Sequence, residues 1–277
     1  MIYINSDHYL FGNTYQVTFP QPLNLDENSS ISLQSFSAFN STYNVAATLS
    51  NNTFSITWID GNSKQFVIPD SYFSVDDMST FIENCLLQQG WYATSNSGAA
   101  ITYFISCQVN APQYSNQINI FSVPNATTAA AKGLSPSGKN GFTAFPSNAT
   151  VPQITFNPSL AQKFFGFKTQ TVFPASTAVA QNYSFVSDQC PIISPSFNII
   201  ISCSILPPSN VLLPVLAQFP INAAFGNLIN YNAVFPAQLT VKKSVYQQLT
   251  IQLWDQSMRP LQFRDNELSM SIVLETS

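Results

Sequence analysis

The chain has 277 residues, of which only 8% are Asp, Glu, Lys or Arg, and a net charge of −4. With nine Lys plus Arg and a single adjacent basic pair, Lys242-Lys243, it offers no basic stripe for nucleic-acid phosphates. No apolar run approaches the ~20 residues needed to span a bilayer, and Met1 to Asn5 lacks the basic start and apolar core of a signal peptide, so a soluble, intracellularly made protein is expected.

The charged fraction is about a third of the usual share, and Asn, Ser, Gln and Thr supply the polarity instead. Such surfaces suit faces covered by other subunits, because a charge in an interface core must be desolvated. The 18 prolines, 23 phenylalanines and 11 tyrosines fit a sheet protein with many turns.

In chain order, Tyr15, Val17 and Phe19 alternate with Gln16 and Thr18, predicting a strand that Pro20 and Pro22 end. A second strand starts at Ser30. Ile31 and Leu33 face one way, and Phe36, Ala38 and Tyr43 continue in a shifted phase, which predicts a bulge near Ser35. The polar segment Leu49 to Asn52 marks a boundary.

Phe54, Ile56 and Trp58 alternate up to the hairpin signal Asp60-Gly61, and Gln65 to Ile68 returns. One helix is clear. Ser74 and Asp77 form a capping-box start, Val75, Met78, Ile82, Cys85 and Leu86 share a face, and Gly90 closes it. Sheet-like runs follow at Ile101 to Val109 and Gln117 to Val123. Ala126 to Ser147, rich in Ala, Gly, Ser, Thr and Pro, reads as a flexible loop. Ile154 and Phe156 make a short strand, and Asn157-Pro158 opens one or two helical turns ending at Gly166.

After a loose stretch from Ala175 to Gln189, alternation resumes with Phe197, Ile199, Ile201, Cys203 and Ile205 on one side. Pro207 to Asn210 turns the chain, Val211 to Ile221 is continuously apolar, and Leu239 and Val241 alternate again. The last two strands are the most regular: Leu249, Ile251 and Leu253, then Leu268, Met270, Ile272 and Leu274, separated by the polar turn Asp255 to Pro260. Strands on both sides of the α+β block must pair across it. The expected architecture is therefore mainly β: an antiparallel jelly-roll β-sandwich built from 1–50 and 173–277, with a small α+β domain inserted at 51–172.

Residues suited to chemistry are few. The lone His8 lies in a polar terminal stretch and gives no nucleophile a base. Asp26-Glu27 reads as a turn, Asp76-Asp77 as a helix N-terminus, and Asp188 lacks a partner. Gly133, Gly138 and Gly141 do not form a phosphate loop. Cys85, Cys107, Cys190 and Cys203 match no zinc spacing and read as buried free thiols. No catalytic, cofactor-binding or metal-binding residue is assigned. Trp58, Trp91 and Trp254 are the candidates for a carbohydrate- or receptor-binding surface, with Trp254 expected on an outer face.

The order of features then matters. Ile68-Pro69-Asp70-Ser71-Tyr72 leads into the helix from Val75. Leu160 to Phe167 ends in Phe165-Gly166-Phe167, and Leu253-Trp254-Asp255 precedes Leu268 to Leu274. This order resembles the minor capsid, or penton, proteins of virophages and Polinton-like viruses. The resemblance implies a single jelly roll with an inserted domain, five copies of which close the fivefold vertices of an icosahedral shell. It further implies a homopentamer in the virion beside major capsid protein capsomers. The inserted domain, read apart from the resemblance, is the candidate for facing outward and contacting a host receptor or partner virus. It implies no enzyme activity and no cofactor.

Overall fold

In the computed structural model, residues 1–98, 100–192, 194–207 and 213–276 are described. The chain divides into two compact units, Met1–Tyr43 with Ser196–Ser277, and Asn44–Pro195. The first segment contributes β1 (Ile2–Asn5), β2 (Tyr9–Phe11), β3 (Thr14–Leu25) and β4 (Ser30–Phe39).

β3 does not end at Pro20 and Pro22, as the sequence suggested, but runs on to Leu25. Its partner strand pairs Gln248 with Thr18 and Tyr246 with Leu23. Residues 19–22 therefore form a bulge in which neither proline has to supply a ladder N–H. In the following turn the Asp26 carboxylate accepts the backbone N–H groups of Asn28 and Ser29, each at 3.0 Å. β4 carries the expected phase shift. Ser35 faces Ser271 and Leu33 faces Ile272, leaving Gln34 without a partner on β20, so Ile31, Leu33, Phe36 and Ala38 are all buried. Tyr43 was expected to extend this strand and does not. The strand ends at Phe39; Asn40 N–H still donates to the Asn227 carbonyl and its side-chain amide donates to the Ala223 carbonyl, each at 2.8 Å.

The middle unit opens with the hairpin β5 (Thr53–Thr57) and β6 (Ser63–Val67), followed by α1 (Val75–Gln89). The capping box of α1 is complete. Ser74 Oγ accepts from the Asp77 N–H at 3.1 Å, and Asp77 Oδ2 accepts from the Ser74 N–H at 3.0 Å. The Ser74 hydroxyl and N–H hold the Asp77 carboxyl below its ordinary pKa. Gly90 takes the left-handed conformation that ends the helix.

β7 (Ala93–Ser95), β8 (Ile101–Thr102), β9 (Ile105–Asn110) and β10 (Ser115–Ile120) come next, then α2 (Ala126–Ala131) and β11 (Leu134–Pro136). These last two correct the expectation of a flexible loop over 126–147. Asn125 Oδ1 caps the helix by accepting from the Thr128 N–H at 2.8 Å, and Ala129 is fully buried. β12 (Gln153–Phe156) precedes a wide π-type helix, Leu160–Phe165, whose first turn Asn157 caps through the Ser159 N–H at 2.8 Å. β13 (Val172–Phe173) and β14 (Tyr183–Val186) complete the unit. β14 lies within 175–189, which the sequence suggested was loose, and pairs along β10.

The strands form three antiparallel sheets, ordered β14-β10-β9, β11-β7-β8 and β13-β12-β5-β6. The unit's limits therefore differ from 51–172. At its start Val45 bridges Ser71, and Asn51 bonds both Ala46 and Asn44. At its end β13 and β14 are tied to β12 and β10.

The C-terminal segment adds β15 (Asn198–Cys203), β16 (Val215–Pro220), β17 (Leu228–Asn232), β18 (Leu239–Thr240), β19 (Ser244–Trp254) and β20 (Leu268–Glu275). One sheet has the order β1-β20-β4-β17, with β18 also pairing β4, and the other is β16-β15-β19-β3-β2. If β1, β3, β4, β15, β16, β17, β19 and β20 are counted one to eight, the sheets read 1-8-3-6 and 2-7-4-5. That is the connectivity of an antiparallel jelly roll, and the middle unit interrupts it between its third and fourth strands. The inner faces enclose Ile4, Phe36, Ile201, Leu249, Ile251 and Ile272, as period-two burial requires.

Phe197, expected to point inward, is instead 57% exposed, because β15 begins after it. The sequence did not anticipate β17. Most of the Pro207 to Asn210 turn, and the start of the run from Val211, lie outside the described residues.

Candidate functional site

The groups that could support chemistry are dispersed. Among the described residues no three His, Cys, Asp or Glu side chains gather as a metal site would require. His8 Nδ1 lies 2.6 Å from Asn5 Oδ1 and closes a 3-10 turn. Asp26 holds a turn and Asp77 caps α1, the structural roles that their positions suggested. Asp188 has a partner after all, the Lys168 N–H at 2.8 Å. All four cysteines are free. Burial pushes the Cys85 thiol up to about 11 and the Cys203 thiol up to about 12, and raises Cys107 as well. Cys190 is exposed, contrary to the expectation of burial.

Two of the three tryptophans leave the list of ligand platforms. Trp58 and Trp91 are buried and stack on each other, with ring centroids 5.6 Å apart and planes 5° apart. Trp254 is half-buried, and its Nε1–H donates to Ser202 Oγ at 2.9 Å.

The jelly-roll unit instead presents an unusual surface. Across its first sheet the outward side chains line up as Asn5, Ser269, Ser37 and Asn230, and in the next row as Tyr3, Ser271, Ser35 and Asn232. Across the second sheet Thr18 faces Gln248, Gln16 faces Thr250, and Thr14, Gln252 and Ser202 share a row. Gln16 Nε2 donates to Gln248 Oε1 at 2.9 Å.

The ten strands of this unit contain one charged residue, Glu275, at the end of β20. Its other charges sit in turns: Asp7, Asp26-Glu27, Lys242-Lys243, and 255–267. Hydroxyls and amides on a flat sheet can be covered with little desolvation cost, whereas lysines and carboxylates cannot.

The sheet edges carry the second part of the surface. β1 and β2 form one flank, and β16 and β17 belong to the opposite edges of the same two sheets. On the first flank Tyr3, Leu10 and Phe11 are exposed, Phe11 by 64%. On the second, Leu228, Val234 and Phe235 are exposed, Phe235 by 93%. Lone sheets usually blunt their edges with lysine, inward charges or short irregular strands, because an open ladder recruits other chains. Neither flank has a charge within its strands. The arrangement can bury apolar surface and pair backbone groups with another chain.

No protein-family model matches the sequence, and no curated protein matches it. Among solved structures the chain is similar to the crystal structure of the selenomethionine-labelled penton protein of mavirus, a virophage. The identity is 12%, over 95% of this chain and 91% of that chain, with a TM-score of 0.45.

Proposed function

We propose that this chain is a capsid protein, the penton capsomer that closes the fivefold vertices of an icosahedral shell as a homopentamer. The observation that carries the reading is the near absence of charge from the jelly-roll strands, together with two different uncharged flanks that expose apolar side chains. A ring of identical subunits needs two distinct, complementary surfaces on each copy, since every contact is heterologous. The β1/β2 flank and the β16/β17 flank supply such a pair. The neutral outer rows are surfaces on which neighbouring major capsid protein capsomers can pack without stripping water from ions.

In this role the middle unit, 44–195 by its contacts, is the candidate for contact with a host receptor. The protein would reside in the virion after assembly inside the host cell. Its work is geometric, without catalysis or cofactor.

Native mass spectrometry of the purified chain tests the ring. Five 30.5 kDa copies give a particle of about 150 kDa. A monomer that persists at high concentration, and does not join shell fragments, would overturn the reading.

A further inference from the structure

The middle unit holds a cleft of about 320 Å³ to which the shell role assigns nothing. It lies where β8 leads to β9 and where β10 leads to α2, with Leu134 of β11 and Asn182 completing the wall. Its volume falls at the small end of ligand clefts, which run from about 300 to 1,000 Å³.

The chemistry of the wall is selective. Phe121 leaves 38% of its surface exposed, and Tyr103 is half-buried beside it, so two aromatic rings reach solvent within one cleft. None of the lining residues is acidic and one is a cation, Lys132, which follows directly after α2. Among the described residues Lys132 has no ion-pair partner. Asn182 Oδ1 accepts the Ser122 N–H at 2.9 Å, which fixes the amide and leaves its NH₂ as a donor. Burial first, then Glu83 and Tyr92, raise the Tyr103 pKa above its ordinary value. Glu83 itself does not line the cleft.

We propose that this cleft binds an acidic saccharide. The sugar's C–H face lies on Phe121 and Tyr103, its carboxylate pairs with Lys132, the Asn182 amide donates to its hydroxyls, and Ser122 Oγ, whose own proton goes to the Thr150 carbonyl at 3.4 Å, accepts from them. A neutral apolar ligand would leave Lys132 unused, and a bare inorganic anion would leave the aromatic wall unused. The site is independent of pentamer formation, so its failure would leave the shell role standing.

Saturation-transfer NMR on the full chain tests it, with 3′-sialyllactose and lactose at equal concentration. Transfer to the sialic acid protons is expected to exceed that to lactose. Lys132→Gln is expected to weaken binding about tenfold, the scale of one charge-assisted hydrogen bond. Asn182→Asp keeps an acceptor for the Ser122 N–H while adding a negative charge, and should weaken binding similarly. Equal transfer to both sugars, no transfer to either, or a signal indifferent to both substitutions would overturn the site. Transfer to benzoate without transfer to sialyllactose would overturn the saccharide assignment in favour of an aromatic acid.

Discussion

Arg259 grips the carboxylate of Asp255 from within a single turn, with Nε at 2.7 Å and Nη2 at 2.6 Å from Oδ2. The other oxygen, Oδ1, accepts the backbone N–H groups of Ser257 and Arg259 at 2.8 and 3.0 Å. Asp255 is 2% exposed, so this one side chain organises the turn by which β19 leaves its sheet. Asp255→Ala would remove the acceptor that four N–H groups share. It should lower stability in urea unfolding by about 2 kcal/mol, less than a fully buried pair because Arg259 is partly solvated. Asp255→Asn keeps the Oδ1 bonds and should cost about half as much.

Gly166 takes φ +86°, and a Cβ there would collide with the backbone carbonyl oxygen of Gln189. Gly61, in the β5–β6 hairpin, takes φ +84° with open space around it. The two alanine substitutions therefore separate conformational cost from steric cost. Gly61→Ala should destabilise by about 1 kcal/mol, and Gly166→Ala by about 3 kcal/mol, because backbone cannot move aside as a flexible side chain can. Thermal unfolding followed by circular dichroism reads both.

Thiol accessibility should follow burial. Native protein treated with iodoacetamide at pH 8 is expected to be modified at Cys190 and to resist at Cys85, Cys107 and Cys203, all four reacting after denaturation. Peptide mass mapping reads the sites. The raised pKa values have a further consequence. The unfolded chain releases these protons near the ordinary value of 9.0, while the folded chain holds them toward 11 at Cys85 and 12 at Cys203. Above pH 9 the folded state binds more protons, so stability is intact below that value and falls as the pH rises through this window.

If the chain forms the proposed ring, charge placed on the flanks should dissolve it without unfolding the subunit. Phe11→Lys on β2 and Leu228→Lys on β17 alter exposed side chains on opposite flanks. Each is expected to convert a particle of about 150 kDa into the 30.5 kDa chain, with the melting of the monomer shifted by little. Analytical ultracentrifugation checks the mass. A lysine variant that stays pentameric would remove that flank from the contact.

Much of this fold could be read in the sequence wherever the cause is local. The α1 cap needs only Ser74 and Asp77, the stop needs only Gly90, and the final strands announce themselves by period two. What escaped depends on distant partners. β3 passes Pro20 and Pro22 because β19, more than 200 residues away, skips a position opposite them. β14 exists because β10 is there to pair with it, and α2 because its Ala129 has a core to enter. The Trp58–Trp91 stack joins a strand end to a helix end, and nothing in either neighbourhood foretells it. The cleft combines Tyr103, Phe121, Lys132 and Asn182 from separate stretches, so its chemistry became visible only with the backbone in place.

Strands almost empty of ions also set the thermodynamic temperament of whatever the protein builds. The proposed adhesion through Ser, Asn and Gln rows and through Phe11 and Phe235 would have little Coulomb energy for added salt to screen. Its driving force would be the release of ordered water, which fades as temperature drops. Particles assembled from it should therefore tolerate brine and loosen on ice.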